Sequence, residues 1–285
     1  MNFDFTPDQL SLKKIVKDLV AKEITPRALE LDKEGKVPAE IWQKFDDAGL
    51  LNLTVPEEYD GPGLDALSIA LIYEEIGMGC AGVATTVAAN SLASYPVILL
   101  GTEEQKQKMF GVINQGKLAA FALTEPGAGS DAGAVATSAV KDGDDYILNG
   151  TKCFITNGGI ADIYIIFANA RKSAGIRGLT AFIVDRSAPG FSVGKEEEKM
   201  GIRASNTCEL VLENVRIPAA NRIGREGEGF KIAMKTLDAA RPFVGAVSVG
   251  LAQAAFDLAV KYAKERVQFD KPIASFQLVQ AMLAD

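Results

Sequence analysis

The chain has no histidine at all. That absence excludes a serine–histidine–aspartate triad, a cysteine–histidine pair, an HExxH zinc site and any imidazole proton relay. An acid or base must then be Asp, Glu, Lys, Tyr or Cys, or belong to a cofactor. Cysteine is scarce too. Cys80, Cys153 and Cys208 are odd in number and form no CxxC, which excludes a disulfide or zinc framework, predicts no metal site and fits a reducing cytoplasm. The opening MNFDFTPDQ is acidic where a secretory signal is basic and then apolar. Long apolar runs are also missing. The longest, Val244 to Phe256, is broken by Ser248 and Gln253 and falls short of the ~20 residues a membrane span needs, so it is expected to be a core helix and no membrane association is expected. Basic residues are outnumbered 30 to 37, for a net charge of −7, and no basic stripe appears, which argues against nucleic acid as a partner.

What is present points to a folded, multidomain protein. At 285 residues and 48% apolar, the chain can bury a sizeable core and should form two or three domains. Residues 1 to about 120 carry helical signals. Thr6-Pro7-Asp8-Gln9 is a capping box with proline at the first helical position, followed by an apolar face of Leu12, Ile15, Val16, Leu19 and Val20. Thr102 to Gln105 repeats the device ahead of Met109 and Phe110. Between them a helix from about Pro38 to Ala48 stops at Gly49, and two further helices meet near Gly77 to Gly82. From Lys117 to about Gly224 the period becomes that of strands, at Leu118–Thr124, Tyr146–Leu148, Asp162–Ala168, Leu179–Asp185 and Cys208–Glu213. No helix alternates with them, so a compact antiparallel barrel or sandwich is expected rather than a parallel dinucleotide fold. After Gly229 a long helical segment continues to about Phe269, with Pro242 as an expected kink. A last helix, from about Ala274, reaches Asp285 without a Gly, Asn or Pro to close it, so the chain reads as C-terminally cut off.

Two phosphate-loop matches lack their context. Gly77-Met78-Gly79-Cys80-Ala81-Gly82 fits GxGxxG, but helical spacing precedes it where a strand is required, and a helix–helix joint explains it better. Gly111 to Lys117 fits GxxxxGK, yet Leu118 stands where Ser or Thr must hold magnesium. The stretch Phe121 to Gly159 carries more. An apolar run ends in Glu125-Pro126-Gly127 and continues through Gly129, Ser130 and Gly133, so backbone free of bulk can approach a ligand. A second run ends in Thr156-Asn157-Gly158-Gly159. Either half alone also fits an ordinary strand end with turn glycines. Together they deliver two hydroxyls, Thr124 and Thr156, beside open backbone, which suits a flat polar heterocycle with a phosphate tail.

In order, LTEPGAGSD (123 to 131), KCFITNGG (152 to 159), MGIRASNT (200 to 207), LDAARP (237 to 242) and ERVQFDKPI (265 to 273) resemble the signatures of the acyl-CoA dehydrogenases, nearest the short- and medium-chain branch. The resemblance spans the chain. It implies an α+β multidomain protein: an N-terminal helical domain (1–118), a middle antiparallel β domain (119–226) and the start of an incomplete C-terminal helical bundle (227–285). It implies FAD as cofactor, an acyl-CoA substrate, electron-transferring flavoprotein as electron acceptor and a homotetramer when full length. The implied reaction removes the pro-R α-hydrogen as a proton and the β-hydrogen as hydride to flavin N5, giving the trans-2-enoyl-CoA.

By the same resemblance, Phe121, Leu123 and Thr124 contact the flavin ring, Gly129 opens the loop, and Ser130 reaches the pyrophosphate and pantetheine. Phe154 packs on the ring face and Thr156 hydrogen-bonds at N5. Arg266, Gln268, Phe269 and Gln277 match positions that hold the FAD of a neighbouring subunit, and Asn90, Ser91, Leu92, Leu237, Asp238 and Arg241 those that line the acyl-CoA channel. Two departures stand out. Asp270 replaces the family's usual glycine and is expected to weaken cofactor binding by repulsion unless its side chain turns outward. The proton-abstracting glutamate has no counterpart: it is expected beyond Asp285, or, as in long- and branched-chain members, at the position of Ala240, where alanine cannot take a proton. Asp238 is expected to pair with Arg241 instead of substituting for it. Two alternatives remain open at this level: a non-catalytic binding or assembly subunit, and a flavoenzyme of the same fold running enoyl-CoA reduction or nitroalkane oxidation.

Overall fold

A computed structural model describes residues 4–285. Six helices come first: α1 (Pro7–Glu23), α2 (Ala28–Glu34), α3 (Ala39–Asp47), α4 (Ala66–Gly79), α5 (Ala81–Leu100) and α6 (Glu103–Ile113). Both expected capping boxes form: Thr6 and Thr102 each accept the backbone N–H three residues on, and the glutamine there accepts the cap's own N–H. Val16 and Val20 are buried, with Leu12 and Leu19 packed beside them, but Ile15 is exposed, so the apolar face of α1 is narrower than its sequence suggests. The glycines between α4 and α5 serve close packing. A Cβ on Gly79 would stand 2.3 Å from the Val20 side chain, and one on Gly82 would stand 2.8 Å from the Ala204 Cβ.

The strands follow: β1 (Ala119–Ala122), β2 (Ser138–Asp142), β3 (Asp145–Thr156), β4 (Ile163–Asn169), β5 (Leu179–Asp185), β6 (Phe191–Glu196), β7 (Thr207–Pro218) and β8 (Arg222–Ile223). They form one sheet in the order β6-β7-β3-β2-β4-β5-β8, with β1 on β4. Most pairings are antiparallel, but β1–β4 and β2–β4 run parallel. β4 and β5 read as continuous apolar runs because both their faces are covered. Ile163, Ile165 and Phe167 pack against α5, α6 and the next helix, while Tyr164, Ile166 and Ala168 meet residues of β3 and β7. The sheet therefore curls over a core of its own, with helices on its other side. β6 escapes the sequence pattern because it is a polar edge strand, and β3 and β7 prove longer than their apolar centres.

The chain then enters α7 (Gly229–Glu265), which runs as a single helix through Pro242. α7 ends four residues earlier than expected. The following β9 (Val267–Gln268) and β10 (Lys271–Pro272) pair as a hairpin leading to α8 (Gln277–Ala284). By length and composition, α5 and α7 are long and apolar enough to cross a bilayer; α5 is largely buried in the helical core. The expectation that Val244 to Phe256 is a core helix holds on one face only. Val247 and Gly250 are buried, the latter against the α4 backbone, whereas Val244, Val249, Leu251 and Phe256 are exposed.

Phe269 and Asp270, the two residues between β9 and β10, have φ of +50° and +59°. A two-residue hairpin loop with both central φ positive is the type I′ turn, whose second position favours glycine. The conformation explains why a glycine suits position 270, independently of any cofactor. Asp270→Gly should raise stability by up to about 1 kcal/mol by removing left-handed strain, read as a higher urea midpoint with an unchanged slope.

Candidate active site

The two threonine-bearing strand ends lie side by side. The Cys153 N–H donates to the Thr124 carbonyl at 3.0 Å, tying the end of β3 to the corner after β1. Beyond β3, Asn157 takes a φ of +62°, is fully buried, and donates to the carbonyls of Thr86 (3.0 Å) and Ala119 (3.1 Å). The end of β3 is thereby bolted to α5 and β1 together.

A cavity of about 410 Å³ opens at this junction. Phe121, Leu123, Thr124, Gly129, Ser130, Phe154 and Thr156 line one side of it, and Ala89 and Leu92 of α5 with Met234, Leu237 and Arg241 of α7 line the other. The first set comes from two separate stretches of the sequence, and folding brings them to one wall. Phe154 arrives there through a backbone irregularity. The pairing of β3 with β7 slips between Lys152 and Ile155, and Phe154 takes a φ of +56°. Regular alternation is broken, so Lys152, Cys153 and Ile155 are buried while Phe154 is 63% exposed. Such a bulge re-aims one side chain, and holding phenylalanine there costs about 1–3 kcal/mol that the surrounding structure must offset. Gly129 has open space where a Cβ would stand, so the loop backbone is unshielded.

A second, apolar cavity of about 220 Å³ adjoins the first, with Ala89, Leu92, Thr156, Leu237 and Arg241 common to both. Its far side is formed by Thr85, Ala88, Ala240, Phe243 and Val244. Phe243, on its wall, is buried against Tyr73 and Tyr95. Among the described residues, no Asp or Glu lines either cavity.

Several expected site residues lie elsewhere. Asn90 and Ser91 do not line either cavity, because their polar groups are engaged in the core. Asn90 donates to the Leu51 carbonyl (3.1 Å) and accepts from the Ala119 N–H (2.8 Å), while the Ser91 hydroxyl bonds Tyr73 (2.7 Å). Of that trio only Leu92 faces the site. Asp238 is exposed, pairs with Arg241 as expected, and is not a lining residue. Arg266, Gln268, Phe269 and Gln277 gather on the exposed hairpin and the start of α8, outside both cavities. In the MGIRASNT loop, the Arg203 N–H and guanidinium bond Asp32 and the Lys33 carbonyl, so that arginine ties the β domain to α2.

Behind the cavity wall lies a pair that motif reading did not single out. Lys152 is fully buried and its Nζ donates to Glu125 Oε1 at 2.7 Å and to the Leu123 carbonyl at 3.1 Å. Glu125 also accepts from the Ala136 N–H (2.7 Å), the Thr137 N–H (3.1 Å) and the Thr137 hydroxyl. The available signal was a lysine flanked by apolar residues in a strand, with its partner in the Glu-Pro-Gly corner. Burial pulls the Lys152 ammonium down to about 8 against the upward pull of Glu125. Burial alone would raise the Glu125 carboxyl, but the Lys152 charge and the Thr137 hydroxyl outweigh it and hold the group below its ordinary value.

A depressed carboxylate contributes stability that is fully present above its unfolded pKa, 4.5, and is lost as pH falls through the lower folded value. The stability gap between the wild type and Glu125→Gln should therefore shrink steadily below pH 4.5. Urea midpoints measured from pH 3 to 7 would show it; a gap independent of pH would contradict it.

Three family models match the chain in succession. Residues 6–117, 120–215 and 227–285 match the models for the acyl-CoA dehydrogenase N-terminal, middle and C-terminal domains. The chain is 46% identical over 288 residues to an acryloyl-CoA reductase (NADH) of Anaerotignum propionicum, covering 100% of this chain and 73% of that protein. It superposes on butyryl-CoA dehydrogenase from Megasphaera elsdenii with a TM-score of 0.96 at 46% identity, covering 100% of this chain and 76% of the other. A Bacillus anthracis acyl-CoA dehydrogenase complexed with FAD gives a TM-score of 0.91 at 38% identity, covering 99% of this chain and 48% of the other.

Proposed function

The chain belongs to the acyl-CoA dehydrogenase family, and we propose that it serves the α,β-dehydrogenation of a short-chain acyl-CoA thioester to the trans-2-enoyl-CoA. The cofactor is FAD, and the residues of the larger cavity fit it. Two hydroxyls, Thr124 and Thr156, stand on one wall with an aromatic ring pushed out by the bulge and an open glycine loop beside Ser130. Bound there, FAD supplies the acceptor for the substrate's β-hydride. Thr124 and Thr156 would hydrogen-bond the ring, Phe154 would pack against it, and Ser130 and the open loop backbone would take the phosphate end.

The observation that carries this reading is the junction of the two cavities at Thr156. A space bearing the hydroxyls of Thr124, Ser130 and Thr156 meets a smaller, apolar one, as the reaction needs where a flavin edge and an acyl chain must touch. The apolar space, with Phe243 on its wall, is about 220 Å³, which favours a short acyl chain. Removal of the α-proton needs a base, and neither cavity has a lining carboxylate. We infer that these 285 residues bind FAD and thioester but turn over slowly on their own. Arg266, Gln268, Phe269 and Gln277 are assigned to the FAD of a neighbouring subunit in a homotetramer, and electron-transferring flavoprotein is the proposed electron acceptor.

The test is a titration of the FAD-loaded protein with acyl-CoAs of rising length. Butyryl-CoA should perturb the flavin absorption at lower concentration than octanoyl-CoA; equal response to all lengths, or none to any, would sink the reading. A second reading, reduction of an enoyl-CoA, is favoured by the acryloyl-CoA reductase being as similar in sequence as the butyryl-CoA dehydrogenase. It predicts faster reoxidation of dithionite-reduced protein by crotonyl-CoA than reduction by butyryl-CoA.

A further inference from the structure

We propose that the buried Lys152–Glu125 pair is a positioning device for the flavin site: it sets where Thr124 and the Gly129–Ser130 loop stand relative to the Phe154–Thr156 strand end. The proposal rests on the flavin reading of the larger cavity and adds to it the group that shapes that cavity.

Thr124 lies between two residues gripped by one ammonium. Lys152 Nζ takes the Leu123 carbonyl at 3.1 Å on one side and the Glu125 carboxylate at 2.7 Å on the other, while the Cys153 N–H takes the Thr124 carbonyl itself at 3.0 Å. Three consecutive residues, 123 to 125, are therefore fixed by two consecutive residues of β3. The next residue is Phe154, whose positive φ re-aims its ring into the cavity. The register between Thr124 and Phe154 is thus set by the Cys153 N–H together with one side chain, Lys152, that never reaches the cavity.

Glu125 extends the grip. Its N–H and carbonyl close a short bridge with Ala128 (3.0 Å each way), and its carboxylate accepts from Ala136 and Thr137. The segment that leaves at Pro126 and returns at Ala136, carrying Gly129 and Ser130, is pinned at both ends by one carboxylate. A buried ion pair adds little stability over an apolar pair of like volume. What this pair supplies, and an apolar pair could not, is directional bonds to a carbonyl, two N–H groups and a hydroxyl. No other described charged side chain is hydrogen-bonded to either member.

A merely structural role and a positioning role separate experimentally. Lys152→Met leaves an unpaired buried carboxylate and should lower the melting temperature. Glu125→Gln combined with Lys152→Met removes both charges while the glutamine carbonyl still accepts from residues 136 and 137, so most of the lost melting temperature should return. The lysine's bond to the Leu123 carbonyl does not return. FAD affinity of that double variant, followed by flavin fluorescence quenching, should stay weaker than wild type by about tenfold, the size of one charge-assisted hydrogen bond, with a shifted visible band of bound flavin. Thr137→Val, which leaves both charges in place, should weaken FAD by about threefold and keeps the question open to test if the lysine variants do not fold. Wild-type affinity and an unshifted band in the double variant, or in Thr137→Val, would overturn the proposal. Absence of FAD binding by the wild type would instead overturn the flavin reading of the cavity.

Discussion

Replacing Ala240 by glutamate should raise the rate at which butyryl-CoA bleaches the bound flavin by about 10²–10⁴-fold, the usual worth of a positioned general base. Ala240 is nearly buried on α7 and lines the apolar cavity together with Thr156 and Leu237. A carboxylate there would stand in a site with no other carboxylate on its walls. The apolar surroundings would raise its pKa toward the working range of a base. The adjacent Arg241 is paired with Asp238, which limits its power to hold the new group ionised and unreactive. Ala240→Gln has nearly the same shape and no basicity, so it is the control. Stopped-flow absorbance of the two FAD-loaded variants decides the matter: equal rates would show that position 240 does not face the substrate's α-carbon.

Gly250→Val should cost about 3 kcal/mol, the upper end for overpacking in a tight interface. A Cβ on Gly250 would stand 2.0 Å from the Glu74 carbonyl oxygen and 3.0 Å from the Met78 nitrogen, and one on Gly77 across the joint would stand 2.6 Å from the Val247 oxygen. The backbones of α4 and α7 touch, and neither has a flexible side chain there that can move aside. Because α7 also carries Leu237 and Arg241, lifting it off α4 should widen the cavity and weaken FAD together with the fold. Gly245 lies in the same helix with open space where its Cβ would be. Gly245→Ala should therefore stabilise by about 0.5–1 kcal/mol through helix propensity alone. Urea denaturation of both variants checks the contrast, and similar effects at 245 and 250 would refute the close-contact explanation.

The fold and the site were unevenly legible in the sequence. Capping boxes are local, so α1 and α6 begin where their residues say. Strands with one covered face show alternation, and β4 and β5, covered on both faces, show unbroken apolar runs; β2 shows neither, and in β6 the alternation stops after Gly194 because polar residues follow. The threonines at 124 and 156 were readable because each closes an apolar run before glycine. Asn90 and Ser91 misled because a polar residue in an apolar helix marks either a ligand or a core hydrogen bond, and only the positions of Leu51, Ala119 and Tyr73 show which. Lys152 poses the same choice: its meaning depends on Glu125, 27 residues away in sequence. The hairpin at Phe269 and Asp270 was hidden because neither residue is the glycine that such a turn prefers.

The most direct test is a crystal structure of the protein soaked with FAD. Density for the tricyclic ring should appear between the β1 and β3 strand ends, with Thr124 and Thr156 both at hydrogen-bonding distance and Phe154 against its face. A ring found elsewhere, or bound in that cavity with either threonine turned away into the core, would contradict the central claim that these two hydroxyls grip one flavin.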